Sequence, residues 1–427
     1  MAEKFIINGG KKMQGTIEVM GSKNSALPIL AASILTKEPC VIENMPLIED
    51  VLKMITILEK MGARVNWIDK RKVKIQCQDL NYKKIPNELL GFFRGSVLLW
   101  GGLLARFDNF KTKTPGGCII GARPLDTHFD AFSQMGVIVK QKDKFCYFEN
   151  RNSKADSLEK IQEVALDEFS VTATENVLLF ASSRDKKTIL KIADQDYQVQ
   201  ELARVLKKMG AKIKNSGPHI FEIEGSKNLK GFSHSLVADP IEAGTFIIAA
   251  LATKGEVLVK NVEIDYLSLF LKKLKYFGAI LEFPDRKSVK VLPSPKLAIV
   301  KIQSLPYPGI HTDLQPEFGV LATQTKGATM IHDPLYEGRL KYLEELNKMG
   351  ADIIFCDPHR AIVNGPTRLR GTEIPSLDLR AGAALIIAGL VAQGTTTINN
   401  AYQVDRGYER IEERFQKLGL DIKRVNS

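Results

Sequence analysis

The sequence predicts an α/β protein of two similar domains, each assembled from three copies of one helix-and-strand unit. Three observations predict this: a phrase that recurs six times, a second phrase that falls between its copies, and a length of 427 residues, more than one hydrophobic core usually organises. The first phrase is a helical run closed by glycine and followed by a short alternating segment. It reads KMGARV around Gly62, QMGVIV around Gly136, KMGAKI around Gly210, YFGAIL around Gly278, KMGADI around Gly350 and KLGLDI around Gly419. Successive glycines lie 68 to 74 residues apart. The second phrase is a turn feeding a strand: KEPCVIEN after Thr36, KGEVLVKN after Thr253, KGATMIHD after Thr325 and QGTTTINN after Ala392.

One copy shows why each element forms. After Pro46, the residues Ile48, Val51, Leu52, Ile55 and Leu58 recur at helical spacing; Lys60 then sets a cation in the last turn and Gly62 supplies a left-handed cap. Val65 and Trp67, and after a turn at Asp69 to Arg71 the set Val73, Ile75 and Cys77, alternate as half-buried strands. A second apolar helix, Ala26 to Leu35, lies nearby. One such copy cannot close a core, whereas three around shared buried helices can. Six copies therefore divide three and three. The break is expected near Gly231 to Pro240, with the N-terminal strand joining the second half, which gives domains 23–238 and 1–22 plus 239–427. A cleft between two such domains is the default place for a ligand.

Composition removes several functions. With 44% hydrophobic and 26% charged residues the chain is not disordered. Its longest uncharged apolar stretch near the end, Ala381 to Ala392, is too short to span a bilayer, and MAEKFIINGG lacks a signal-peptide core, so a cytoplasmic protein is expected. A net charge of +11 fits nucleic acid, a membrane surface or an anionic small molecule. The five cysteines are odd in number and widely spaced, which suggests neither a disulfide framework nor a CxxC site. The six histidines form no HExxH motif and no i, i+4 pair, so no metal is expected. Gly116-x-x-x-x-Gly121 is followed by Ala122-Arg123, which is not a phosphate-binding P-loop.

Three segments read as chemistry. In Thr112 to Pro124 the pair Gly116-Gly117 follows a proline and makes a turn-forming loop, and Cys118 lies between Lys113 and Arg123, cations that favour a thiolate. Gly21 to Pro28 is a Gly-Ser turn entering an apolar helix with Lys23 and Asn24 at the end where anions bind. Asp405-Arg406-Gly407-Tyr408 precedes a helix bearing Ile411, Phe415 and Leu418, and Arg406 beside glycine can reach a phosphate.

Gly21 to Pro28, Pro115 to Pro124, Thr312-Asp313-Leu314-Gln315, Asp378-Leu379-Arg380-Ala381 and Asp405 to Glu412, in this order and spacing, closely resemble the UDP-N-acetylglucosamine 1-carboxyvinyltransferases, a branch of the enolpyruvyl transferases. The resemblance runs essentially end to end. It implies two inside-out α/β barrel domains, each of three repeats, and transfer of the enolpyruvyl group of phosphoenolpyruvate to the 3-hydroxyl of UDP-N-acetylglucosamine. That reaction opens peptidoglycan synthesis, uses neither cofactor nor metal, and involves no nucleic acid or membrane. By motif, the resemblance implies Cys118 as proton donor and fosfomycin target, Asp313 as base, and Lys23, Arg94, Arg123, Arg380 and Arg406 as the cations that hold the anionic substrates. It further implies substrate contacts at Asn24, Pro124, Leu125, Asp126, Thr127, Ser170, Val171, Leu335 and Arg339.

The chain departs from that pattern at Glu168, Thr172, Asp196-Tyr197-Gln198 and Gly338, and it lacks an expected glycine between Ser183 and Thr188. Catalytic residues are untouched by these changes; sugar-nucleotide recognition is not. Two alternatives remain: a catalytically weakened paralogue that binds the sugar nucleotide, and a 3-phosphoshikimate 1-carboxyvinyltransferase.

Overall fold

The computed structural model describes residues 3–116, 120–121, 123–151 and 161–426. They form two compact units. One, the C-terminal unit, takes the first 20 residues and everything from Ala238 onward; the other, the inserted unit, takes Gly21–Val237 except Ile120 and Gly121, which group with the first.

Each unit buries its own core around helices that lack a polar face. In the C-terminal unit these are Pro240–Ala252, Gln315–Thr323 and Leu379–Val391, buried throughout except at Val391. In the inserted unit they are Lys23–Ala32, Leu99–Leu104 and Val171–Ser182. A helix apolar all round is stable only when enclosed, and enclosure comes from amphipathic helices and sheets outside it. The outer helices of the inserted unit are Glu49–Met61, Asp126–Gln134 and Tyr197–Met209; those of the C-terminal unit are Ser268–Tyr276, Tyr342–Lys348 and Ile411–Lys417. Helices inside and sheets outside is the inside-out arrangement expected. All six repeat glycines have positive φ, from 80° at Gly136 to 112° at Gly210, so the punctuation read in the sequence is a set of left-handed helix ends.

Six sheets are present among the described residues, three per unit. Most pair the strand of the second phrase with one parallel and one antiparallel neighbour. Glu256–Lys260 runs parallel to Gln14–Glu18 and antiparallel to Ser288–Leu292. Glu3–Asn8 lies between Thr395–Asn399 and Asp421–Asn426, antiparallel to both. The sheet of Asn109–Lys113, Phe145–Asn150 and Val137–Lys142 is antiparallel throughout.

Two local expectations change. Leu52 is on the exposed flank of its helix, and Met54, Ile57 and Met61 complete the buried face. The missing glycine of the third copy costs no strand: Lys187–Lys191 forms and pairs with Ile161–Ala165 and Ile220–Glu224. Just beyond that strand Ile192 has φ 60°, where the corresponding places of other copies hold Asn44, Asn261 and Asn400 at 56–60°. Asparagine tolerates this region, whereas a β-branched side chain is strained in it.

Candidate active site

In the C-terminal unit the chain assembles a carboxylate between two arginines. Asp313 lies on the 3-10 turn Thr312–Leu314, where His311 Nδ1 accepts its backbone N–H at 3.0 Å. Arg339 NH2 donates to Asp313 Oδ1 at 2.7 Å, and Arg380 Nε donates to Oδ2 at 3.1 Å. Both guanidinium groups are almost fully buried, while Asp313 keeps 20% of its side chain accessible. The acid is therefore held from within and approachable from outside.

Each arginine is fixed by the local fold. Asp378 caps the helix Leu379–Val391, accepting from the N–H groups of Arg380 and Ala381, and so sets Arg380 in the first turn. Arg339 Nε donates to Thr312 Oγ1, which donates in turn to Asp333 Oδ2 at 2.6 Å. The other oxygen of Asp333 accepts from the N–H groups of Leu335 and Tyr336, shaping the turn that presents the half-exposed Leu335. Burial works against the charge of Arg339, but Asp313, Asp378 and Asp333 outweigh it and hold the guanidinium protonated. Arg380 has both terminal nitrogens buried and without a hydrogen-bond partner among the described residues. A buried cation with unused donors is poised for an anion. Arg406 follows the short helix Tyr402–Asp405 and donates to Gln403 Oε1 at 3.1 Å. Below it Arg424 ties together Asp405, Glu412 and Glu3.

In the inserted unit Ser22 caps Lys23–Ala32, and Lys23 pairs with buried Asp50 at 2.8 Å. Asn24 follows it, half-buried. Arg94 donates to the Pro124 carbonyl at 2.8 Å, which joins the start of its 3-10 turn to the Arg123–Leu125 strip. Asp126 opens the next helix, and Thr127 donates to Glu168 Oε1 at 3.1 Å. Ser170 caps Val171–Ser182 by accepting from Ala173 N–H. Beside it His128 Nε2 meets Thr172 Oγ1 at 2.9 Å. Burial, then the charges of Arg94 and Arg123, push the His128 imidazole down to about 3, so it is neutral. Two of the departing residues, Glu168 and Thr172, thus bond neighbours in the Arg123 to His128 stretch. Cys118 lies outside the described residues.

The structure brings Asp313, Arg339 and Arg380 into one cluster, and joins Arg94 to Pro124 and Thr127 to Glu168. Lys23 and Arg406 are fixed by other partners, Asp50 and Gln403. Sequence reasoning missed Asp50 and His128 and gave no role to Thr312 and Asp333, though both lie in phrases it quoted; all four bond the named residues or their neighbours. It also missed Glu317 and Thr245, which with Tyr408, quoted there without a role, form a buried group behind Arg380. Asp333 and Thr312 each sit in a polar phrase that could have drawn attention, but their pairing spans 21 residues and has no local signal.

Residues 7–415 match the family model described as EPSP synthase (3-phosphoshikimate 1-carboxyvinyltransferase). Among curated proteins, the UDP-N-acetylglucosamine 1-carboxyvinyltransferase of Halothermothrix orenii is 41% identical over 422 residues, 99% of each chain. The one from Finegoldia magna is 38% identical over 418 residues, 97% of this chain and 96% of its own. The chain belongs to the UDP-N-acetylglucosamine 1-carboxyvinyltransferase family. Solved enolpyruvyl transferases share the fold of this family member. NikO from Streptomyces tendae has TM-score 0.89 at 24% identity, covering 100% of this chain and 99% of its own. EPSP synthase from Acinetobacter baumannii has TM-score 0.77 at 18% identity, with complete coverage of both. Among the described residues no helix of this transferase-family chain is long and apolar enough to cross a membrane, and no His, Cys, Asp and Glu cluster is arranged to hold a metal ion.

Proposed function

We propose that the chain transfers the enolpyruvyl group of phosphoenolpyruvate to the 3-hydroxyl of UDP-N-acetylglucosamine and releases phosphate, the step that commits the sugar nucleotide to peptidoglycan. The single observation that carries this reading is the Asp313 carboxylate held between Arg339 and Arg380, with the terminal nitrogens of Arg380 unused. It offers a proton acceptor beside an anion site, which addition of an alcohol to a phosphorylated enol requires.

In this reading Asp313 takes the proton of the sugar hydroxyl as its oxygen bonds to the central carbon of phosphoenolpyruvate, while Cys118 delivers a proton to the methylene carbon. A tetrahedral ketal that still carries phosphate results. The carbon–phosphate oxygen bond then breaks, a proton leaves the methyl group, and the double bond returns. Lys23, Arg94, Arg123, Arg380 and Arg406 serve the phosphate and carboxylate groups, for which the planar guanidinium fork is suited. Asn24, the Pro124 to Thr127 strip, Ser170, Val171, Leu335 and Arg339 hold the sugar nucleotide. The domains assigned to these roles are 23–238 and 1–22 with 239–427, and the setting is the cytoplasm, without nucleic acid or membrane partner.

A second reading, a paralogue weakened in sugar-nucleotide recognition, draws on the Thr127–Glu168 bond, which sets a carboxylate where an anionic ligand is expected. One assay separates them. Phosphate release from phosphoenolpyruvate should need UDP-N-acetylglucosamine and not occur with shikimate 3-phosphate. Absence of release with saturating UDP-N-acetylglucosamine would overturn the reading, and recovery in Glu168→Lys would favour the second.

A further inference from the structure

Behind the arginine–aspartate cluster the C-terminal unit buries a second carboxyl group that the reaction above does not use. Glu317 stands in the first turn of Gln315–Thr323, four residues after Asp313, and is fully buried. Its Oε1 accepts from Thr245 Oγ1 at 3.1 Å and Tyr408 OH at 3.5 Å, and its Oε2 has no partner among the described residues. The donors are few. Thr245 has one hydroxyl proton, which Ile241 O also claims at 2.9 Å, and Tyr408 shares its own with Thr245 at 2.8 Å. Its own backbone N–H helps, but with two hydroxyl protons divided among four acceptors and Oε2 without a partner, an ionised carboxylate stays under-solvated. A protonated Glu317 would instead add a donor to the network.

On the other side of Tyr408 sits Arg380, its guanidinium carbon 5.1 Å from the ring centre and its terminal nitrogens unused. A buried acid with an idle oxygen and a buried cation with idle nitrogens thus share one tyrosine. We propose that Glu317 is a positioning residue whose proton decides whether Arg380 is free to receive an anion at the site or is drawn back into the core. With the proton on, Arg380 answers to Tyr408, Asp313 and Asp239 and to no carboxylate behind the ring. With it off, the Glu317 carboxylate competes for the same terminal nitrogens that an anionic substrate needs.

The surroundings favour the protonated state near neutrality. Burial pushes the Glu317 carboxyl up to about 8; its own backbone N–H, Arg380 and the Thr245 hydroxyl oppose this and the Asp313 charge adds to it. The other titratable groups facing it are Tyr408 and Tyr342, both phenols pushed up by burial and therefore protonated throughout. Anion capture should accordingly fail as pH rises through about 8.

The inference rests on the proposed reaction, and the test separates the two. For the parent, kcat/KM for phosphoenolpyruvate should fall above pH 8, by about tenfold one unit above the midpoint. In Glu317→Gln, which keeps the shape and cannot ionise, the alkaline fall should move up by at least one pH unit, while Glu317→Asp should retain it. Superposable profiles for parent and Glu317→Gln would overturn the proposal. Infrared difference spectra, independent of turnover, should show in the parent a buried protonated carboxyl at pH 7 that ionises near pH 8 and is missing from Glu317→Gln, whereas Glu175 and Glu242, also buried and raised, contribute equally to both; no such band, or one that persists in Glu317→Gln, would overturn it equally. Loss of phosphate release at every pH with that titration intact would sink the reaction and leave Glu317 as assigned.

Discussion

Replacing Asp313 by asparagine should damage stability and turnover together, and the structure sets the size of each. The substitution keeps the shape but removes the carboxylate that Arg380 bonds through Nε and Arg339 through NH2. Arg339 retains Thr312 and the charges of Asp333 and Asp378. Arg380 keeps no carboxylate hydrogen bond, so the loss falls mainly on it. Removing one partner of a buried ion pair costs about 3–5 kcal/mol. Since Asp313 is 20% accessible, water screens part of this, and about 2–4 kcal/mol is expected. At roughly 2–4 °C per kcal/mol for a unit of this size, the melting temperature should drop by about 5–15 °C. Turnover should fall by about 10² to 10⁴ through loss of a positioned base. Thermal melts with and without phosphate, alongside a phosphate-release assay at 20 °C where the variant is folded, measure both. Phosphate should restore part of the lost melting temperature by supplying an anion to Arg380. A variant that melts within about 1 °C of the parent and turns over within about threefold would show that Asp313 neither balances the arginines nor accepts the proton.

Three further outcomes follow from particular side chains. Fosfomycin with UDP-N-acetylglucosamine should label Cys118 alone, because burial pushes the Cys40 thiol up to about 12 and the Cys77 thiol to about 11, and raises that of Cys146; peptide mass spectrometry finding the adduct on exposed Cys356 would refute it. The folded state resists protonating His128 down to about pH 3 whereas the unfolded chain takes the proton near 6.5, so stability falls with acidification through that window, by roughly 2–3 kcal/mol between pH 6.5 and 4.5; urea titrations should show a shallower acid decline for His128→Gln, and identical declines would exclude it. Gly319→Ala would drive a methyl into the buried Tyr342 hydroxyl and should cost about 1–3 kcal/mol by denaturant midpoint, with a neutral effect contradicting the packing.

What could be read from the chain before its structure depends on how far apart the interacting residues lie. Gly62, Gly136, Gly210, Gly278, Gly350 and Gly419 announce their helix ends because a left-handed cap is a local demand on one residue. The apolar helix at Ala26 to Leu35 was legible for the same reason, since its run of apolar residues is a local feature. Asp313 and Arg380 stood out only through resemblance, since nothing in their own neighbourhoods sets them apart from turn residues, whereas Arg406 was marked by the glycine beside it. Glu317 was invisible. Its environment comes from Thr245 and Tyr408, which are 72 and 91 residues away, and a glutamate near a helix start ordinarily reads as a favourable surface charge. Ile192 was missed for the opposite reason: the sequence shows an ordinary strand former, and only backbone angles reveal that it does an asparagine's work.

The pairing of Glu3–Asn8 has a consequence for biosynthesis. This strand is interior to its sheet, yet its neighbours, Thr395–Asn399 and Asp421–Asn426, are made almost the whole length of both units after it. At about 5–20 residues per second, a ribosome needs roughly 20–80 s after releasing the strand to supply the second of them. Gly21–Val237 can meanwhile collapse on partners already synthesised, its closing parallel strand Ser233–Ser235 reaching back to Cys40–Glu43. The strand Glu3–Asn8 must wait, with Phe5 and Ile7 uncovered and both edges unpaired, the condition in which strands seek foreign partners. Glu3 and Lys4 within the strand and the glycine pair Gly9-Gly10 just after it are the features that keep it solvated and flexible through that interval.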